Sequence, residues 1–230
     1  MLFSVIIPTR NRPEYLGEAV SSVLTQTHQD LELLIVNDGA IAISPFDDPR
    51  VRVLNNAEAG AVPARNLGVG QACGEMIAFL DDDDVWTDRN FLKSATEVLA
   101  EGVDFVFGDG AMVYPDGRPS RPFAFDANSN SLAIDNTILI SAVCYKRSLH
   151  QTLGLFDETL PYYWDWDWYL RVARAGYELR RIERPVVNIR IHQHNMSGTT
   201  NARERRNNLD LFSTIHALGN LELKSHLDFV

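Results

Sequence analysis

The chain opens on an apolar run, Phe3–Pro8, and then changes period. Between Pro13 and Thr27, apolar residues recur at helical spacing (Leu16, Ala19, Val20, Val23, Leu24), and Pro13 occupies a first-turn position that suits its fixed φ and missing N–H. Leu31–Val36 and the short Val51–Leu54 read as further strands, and Pro63–Cys73 as a helix weakened by Gly68 and Gly70. Glu75–Leu80 is a fourth strand, Asp88–Ala100 a helix with Leu92, Ala95 and Leu99 on one face, and Val103–Phe107 a fifth strand. Near-continuous apolar strands alternating with amphipathic helices predict an α/β fold with a mostly parallel central sheet flanked by helices on both faces.

After Gly108 the rhythm changes. Tyr114-Pro115-Asp116-Gly117-Arg118 is a turn joining two strands, and residues 119–136 are polar and irregular, a loop expected over the site. Ile138–Tyr145 is apolar, 165–175 reads as a helix ending before Gly176, Pro185–Ile191 as a last strand and Arg203–Leu218 as a terminal helix. These changes divide the chain into 1–108, 109–200 and a C-terminal extension, 201–230.

In sheets of this kind ligands collect at the carboxyl ends of the strands. Three polar clusters fall there: Thr9-Arg10-Asn11, Asn37-Asp38-Gly39 and the four acids Asp81–Asp84. Carboxylates this close repel one another, which raises some pKa values or demands a cation, and a hard divalent metal is the usual partner of carboxylate oxygens. A solvated acidic turn capping the next helix accounts for this segment too. The segment by itself leaves both readings open.

Composition narrows the partners. The chain has 230 residues, 45 % of them hydrophobic, enough for one full core. It holds no stretch of about 18 apolar residues that would span a membrane. Its first residues lack a basic leader, so a cytoplasmic protein is expected, and Cys73 and Cys144, in apolar surroundings without CxxC spacing, are expected to be buried free thiols. Lys and Arg number 21 against 31 Asp and Glu, a formal charge of −10 that argues against nucleic acid as partner.

Six segments carry a family resemblance: Val5-Ile6-Ile7-Pro8-Thr9-Arg10-Asn11-Arg12, Val36-Asn37-Asp38-Gly39, Ala64-Arg65-Asn66-Leu67-Gly68, Phe79-Leu80-Asp81-Asp82-Asp83-Asp84, Gly154-Leu155-Phe156-Asp157-Glu158 and Asp165-Trp166-Asp167. Their order and spacing resemble glycosyltransferase family 2, with the GT-A fold, from Ser4 to His192. The resemblance implies an inverting, metal-dependent glycosyltransferase of polysaccharide synthesis, with a nucleotide-sugar-binding half before an acceptor-binding half. Its donor is a nucleotide diphosphate sugar, expected to be a UDP-sugar, and its acceptor a hydroxyl of a saccharide or lipid-linked saccharide. Work at the inner face of a membrane is then a further expectation, with Arg203-Glu204-Arg205-Arg206 as the candidate contact.

Residue by residue, the resemblance places a Mn²⁺ or Mg²⁺ ligand at Asp83, with Asp81 on ribose or an outer-shell water and Asp82 beside them; along an extended segment Asp81 and Asp83 share a face. Thr9 and Asn11 fall at the nucleotide, Asp38 accepts from uracil N3–H although Asn37 replaces a usual acid, and Arg65 contacts the base. His192 is a third metal ligand or a phosphate contact, His194 is less suited, and the polar loop Asn195–Asn201 is placed to close over donor. Inverting displacement needs a carboxylate to take the acceptor's proton. Asp165 and Asp167 point about 200° apart on a helix, so they cannot serve one acceptor together. Asp165 aligns with the family's base, Asp167 with a cap or an Arg171 pair, and Trp164, standing where the family has Glu, with sugar stacking in the acceptor site. Two other readings share these features. A sugar-phosphate nucleotidyltransferase needs a Gly-rich loop that Pro8–Arg12 lacks, and a non-catalytic nucleotide-sugar-binding protein has no need of Asp165 opposite an acidic cluster.

Overall fold

The computed structural model describes residues 1–57, 59–192, 195–196 and 201–224. His194, residues 197–200 of the polar loop and 225–230 of the C-terminal extension lie outside them. The first apolar runs are strands as read: β1 (Phe3–Thr9), β2 (Leu31–Asn37), β3 (Val51–Asn55) and β4 (Met76–Phe79). β1 and β4 are buried along their whole length. Their residues alternate between two cores. Phe3, Val5, Ile7, Met76 and Ala78 join one, whereas Ile6, Ile77 and Phe79 join the other.

Helices cover both faces. α1 (Pro13–Leu24) and α3 (Phe91–Ala100) bury Leu16, Val20, Val23, Leu92 and Leu99 in the first core. α2 (Ala61–Gln71), α5 (Trp164–Arg174) and α6 (Ala202–Ile215) pack into the second with Val62, Trp168, Val172 and Phe212. The glycines that weaken α2 have a use in one case: a Cβ on Gly68 would lie 2.6 Å from Ile6 Cγ2, so the helix closes on β1 only without a side chain there. Gly68→Ala is expected to cost about 1–3 kcal/mol, the range for overpacking a filled core. Chemical denaturation reads this as a lower midpoint at unchanged slope.

The second half contributes β6 (Phe105–Val113), β8 (Val143–Lys146) and β9 (Leu179–Arg190). β8 runs antiparallel to both β4 and β6, so those two share a direction, and β9 lies parallel to β6. The carboxyl ends of β1, β2, β4, β6 and β9 therefore meet at one edge. Three elements carry no clear period in the sequence: β5 (Val85–Trp86), β7 (Arg121–Phe123) and α4 (Ser148–Leu153). The Tyr114–Arg118 turn joins β6 to β7 as expected, and β7 occupies the start of the stretch read as loop. β9 runs through Pro185, which sits where its register with β6 slips beside Asp109, the irregularity that lets a strand hold proline. Cys144 is a buried free thiol. Cys73 is exposed, contrary to expectation, because it lies just past the end of α2 rather than in its apolar face.

Candidate active site

The shared edge gathers the acidic cluster, and a turn shapes it. Asp84 N–H donates to Asp81 O at 3.0 Å, so the segment is bent rather than extended. Asp81 and Asp83 still lie together with Asp82 apart, as expected, and the bend adds Asp84 to the pair. Carboxylate oxygens of all three lie within 4.8 Å of one another, and Asp82 turns toward β1. There Thr9 Oγ1 donates to Asp82 Oδ2 at 2.6 Å.

Cations and neutral donors already crowd this cluster. Arg12 Nη1 lies 3.2 Å from Asp82 Oδ1 and 2.7 Å from Asp83 Oδ2, and His192 Nε2 approaches that same Asp83 atom at 2.9 Å. The His192 ring stacks on Tyr15, centroids 5.6 Å apart. Asp84 is committed at both oxygens, to Ser141 Oγ at 2.6 Å and Arg190 N at 3.2 Å, so it fastens β9 to the cluster instead of capping a turn. Arg65 Nη2 donates to Asp81 Oδ1.

Even so, burial dominates. It pushes the Asp81 and Asp84 carboxyls up, with the charge of Asp83 adding to it. Burial likewise raises Asp82 to about 6 against the Thr9 hydrogen bond and Arg12. Carboxylates held this way want positive charge. Divalent metals bind oxygens at about 2.0–2.6 Å, so two oxygens on one ion lie at most about 5 Å apart. The Asp81, Asp83 and Asp84 spacing fits such an ion.

Other residues singled out from the sequence fall nearby. Asp38 ends β2, buried, where its Oδ1 accepts from Asn56 Nδ2 at 2.7 Å and Gly60 N at 2.9 Å, and its Oδ2 lies 3.6 Å from Arg10. Asn11 takes a left-handed backbone, φ 56°, and accepts from Ile41 N at 3.1 Å, outside the cleft lining.

The opposite wall is the first turn of α5. Asp165 Oδ2 accepts from Asn136 Nδ2 at 2.9 Å. Burial raises this carboxyl to about 6, against the pull of Asn136, the Trp166 N–H and Arg65. Asp167 points the other way, as the helical angle demands, and binds Arg171 Nε and His216 Nε2, each at 2.8 Å. Trp164 is buried against Phe156 and carries the Arg65 guanidinium 4.4 Å over its ring. Arg65 thus joins Asp81 to the residue beside Asp165. Thr9, Asp38, Asp81–Asp84, Trp164 and Asp165 line one cleft of about 580 Å³, and His192 reaches Asp83 from behind that lining.

The sequence reading missed several contacts. Arg12 stands inside a quoted segment but was assigned no role; Ser141 and Asn136 carry no local signal, since only the sheet topology brings them here. Of the basic cluster on α6 only Arg203 is fully exposed. Arg205 is buried and donates to Lys224 O, and Arg206 binds Asp210 and Leu221 O. Among the described residues no helix is long and apolar enough to cross a membrane.

Comparison with known proteins gives the chain its family. Glycosyl transferase family 2 matches residues 4–154. The uncharacterized glycosyltransferase YwdF of Bacillus subtilis is 33 % identical over 98 % of this chain and 88 % of its own length. The Escherichia coli UDP-Glc:alpha-D-GlcNAc-diphosphoundecaprenol beta-1,3-glucosyltransferase WfgD is 34 % identical, over 47 % of this chain and 45 % of its own. Among solved structures, S. aureus TarS 1–349 with UDP-GlcNAc superposes with a TM-score of 0.73 at 19 % identity, covering 97 % of this chain and 68 % of that one. The mannosyltransferase PcManGT of Pyrobaculum calidifontis, with GDP-Man and Mn²⁺, gives 0.68 at 18 % identity, covering 95 % and 65 %. With an α/β sheet of GT-A form and a family match over most of its length, the chain belongs to glycosyltransferase family 2 and is a glycosyltransferase.

Proposed function

We propose that the protein is an inverting, metal-dependent glycosyltransferase that moves a sugar from a UDP-sugar to a hydroxyl of a saccharide or lipid-linked saccharide. The observation that carries this reading is the single cleft with the acidic cluster on one wall and Asp165 on the other, joined through Arg65. Asp165 is the base. A carboxylate raised to about 6 is ionised at neutral pH yet holds a proton better than an ordinary one, the balance that general base catalysis needs. It takes the proton of the acceptor hydroxyl as that oxygen bonds to the anomeric carbon and the bond to the diphosphate oxygen breaks. The attack comes from the face opposite the leaving group, so configuration inverts and no covalent enzyme intermediate forms.

Asp81 and Asp83, with Asp84 beside them, would hold Mn²⁺ or Mg²⁺, and His192 would steady Asp83 or join as a further ligand. When bound, the metal neutralises charge developing on the departing diphosphate. Asp38 and Thr9 lie at the ends of neighbouring strands where the nucleotide base and ribose bind, with Asp38 accepting from uracil N3–H. A lipid-linked acceptor is supported by the E. coli relative, a glucosyltransferase named for its diphosphoundecaprenol acceptor, and such an acceptor would bring the reaction to a membrane face.

A thermal-shift screen of nucleotide sugars tests the reading, because a ligand at a hundred times its Kd stabilises by about 2.7 kcal/mol. In a chain of this size that is a rise of about 5–10 °C. The rise is expected for a UDP-sugar together with Mn²⁺ and for neither alone. A full response without metal, or to GDP-sugars only, would overturn the metal or the uridine assignment respectively.

A further inference from the structure

Asp165 is steadied by a residue that belongs to no helix or strand. Asn136 lies in the irregular segment before the Ile140–Ala142 turn, and its Nδ2 donates to Asp165 Oδ2 at 2.9 Å. An ionised carboxylate only accepts, so the amide must present its NH₂ group there. Its carbonyl Oδ1 is then left buried without a partner among the described residues. A side chain whose other end is unsatisfied does not hold this pose by itself. Something must fix the backbone that carries it.

That support comes from the far end of the chain. Asp135, the preceding residue, donates its N–H to Ser131 O at 3.0 Å, and its carboxylate pairs with Lys224 Nζ. The Lys224 carbonyl accepts from Arg205 Nη2, the Leu221 carbonyl from Arg206 Nη1 at 2.8 Å, and the Leu221 side chain is buried in the core that holds Trp164 and Trp166. Both arginines belong to α6. The C-terminal segment therefore lies along the cleft wall, where Glu222 and Lys224 both contribute, and ties α6 to Asp135. Two further anchors hold the same segment: Trp166 Nε1 to Leu132 O at 2.6 Å, four residues before Asn136, and the longer Thr137 Oγ1 to Asp126 O at 3.3 Å, one residue after it; neither engages Asp135.

We propose that Asn136 is a positioning residue for Asp165, and that Lys224 secures it by clamping Asp135. The other titratable groups that influence Asp165 are Arg65 on α2 and Tyr163 and Tyr169 beside it. The inference rests on Asp165 being the base, and it adds a requirement for 219–224, which lie beyond the family match at 4–154.

Steady-state kinetics of UDP release test it, using whichever of UDP-glucose, UDP-galactose and UDP-N-acetylglucosamine stabilises the protein most with Mn²⁺. Asn136→Ala is expected to lower kcat about 10- to 100-fold, the scale of a misaligned reacting group, while donor KM stays within about twofold. The acid limb of kcat/KM moves to higher pH, since a hydrogen bond to the charged form is lost. Lys224→Met shifts both readouts the same way by less, and Lys224→Arg restores them. Unchanged kcat and acid limb in Asn136→Ala overturn the proposal. If that variant does not fold, unchanged values in Lys224→Met overturn the clamp. An active Asp165→Asn variant removes the base reading and this inference with it, whereas inactive Asp165→Asn beside normal Asn136→Ala removes the inference alone.

Discussion

Replacing Asp165 with Asn is expected to lower kcat by about 10²–10⁴, the usual contribution of a general base, while leaving Mn²⁺-dependent UDP affinity intact. The same substitution is expected to stabilise the protein at neutral pH. Folding raises this carboxyl from the ordinary range to about 6, so the native state holds the proton more tightly than the unfolded chain. Stability therefore falls as pH climbs from about 4 to 6, by at most about 3 kcal/mol, and the contact with an open cleft makes the real figure smaller. The Asn side chain carries no such penalty. Melting curves at pH 7.5 should place the variant above the parent, with about half that advantage left at pH 5 and none below pH 4. Loss of activity together with lower stability at pH 7.5 would mark Asp165 as structural. Full activity would transfer the role to Asp167, against the engagement of that residue by Arg171 and His216.

Asp83→Ala carries the second large effect. The variant should lose the Mn²⁺-dependent part of UDP binding, a fall of more than about 100-fold, since disturbing even an outer-shell partner of a metal ligand costs 10–100-fold. The metal-free protein should keep its melting temperature or gain. Asp83 raises the carboxyls of Asp81, Asp82 and Asp84 by its charge, and Arg12 retains Asp82 as a partner once it is gone. Isothermal titration of UDP with and without Mn²⁺, beside melting of the apo protein, separates the two readouts. Undiminished affinity in the presence of Mn²⁺ would sink the assignment.

What the sequence disclosed and what it hid follow a physical division. β1, β2 and β4 were legible because strands buried on both faces must be nearly all apolar, and their ends then locate Thr9, Asp38 and Asp81. The angle between Asp165 and Asp167 was legible because helix geometry is fixed. Hidden were features set by tertiary contacts. β5 and β7, two and three residues long, are too short to show a period, and Asn136 lies in a segment with none. The place of Asp84 was hidden because one hydrogen bond, Asp84 N to Asp81 O, bends what a strand continuation would have kept straight and brings it beside Asp81 and Asp83. Cys73 misled because an apolar neighbourhood in sequence ended one residue too early in space.

The place of β8 in the sheet has a consequence for biosynthesis. β4 and β6, separated by only 25 residues of chain (80–104), are not neighbours; β8 lies between them and hydrogen-bonds to both. A nascent chain that has delivered every residue of its first half still shows an open, wholly apolar strand edge at Met76–Phe79. That edge stays unpaired until Val143–Lys146 leaves the ribosome, and at about 5–20 residues per second the interval lasts several seconds. During that time the growing chain offers a template for pairing with another copy of itself.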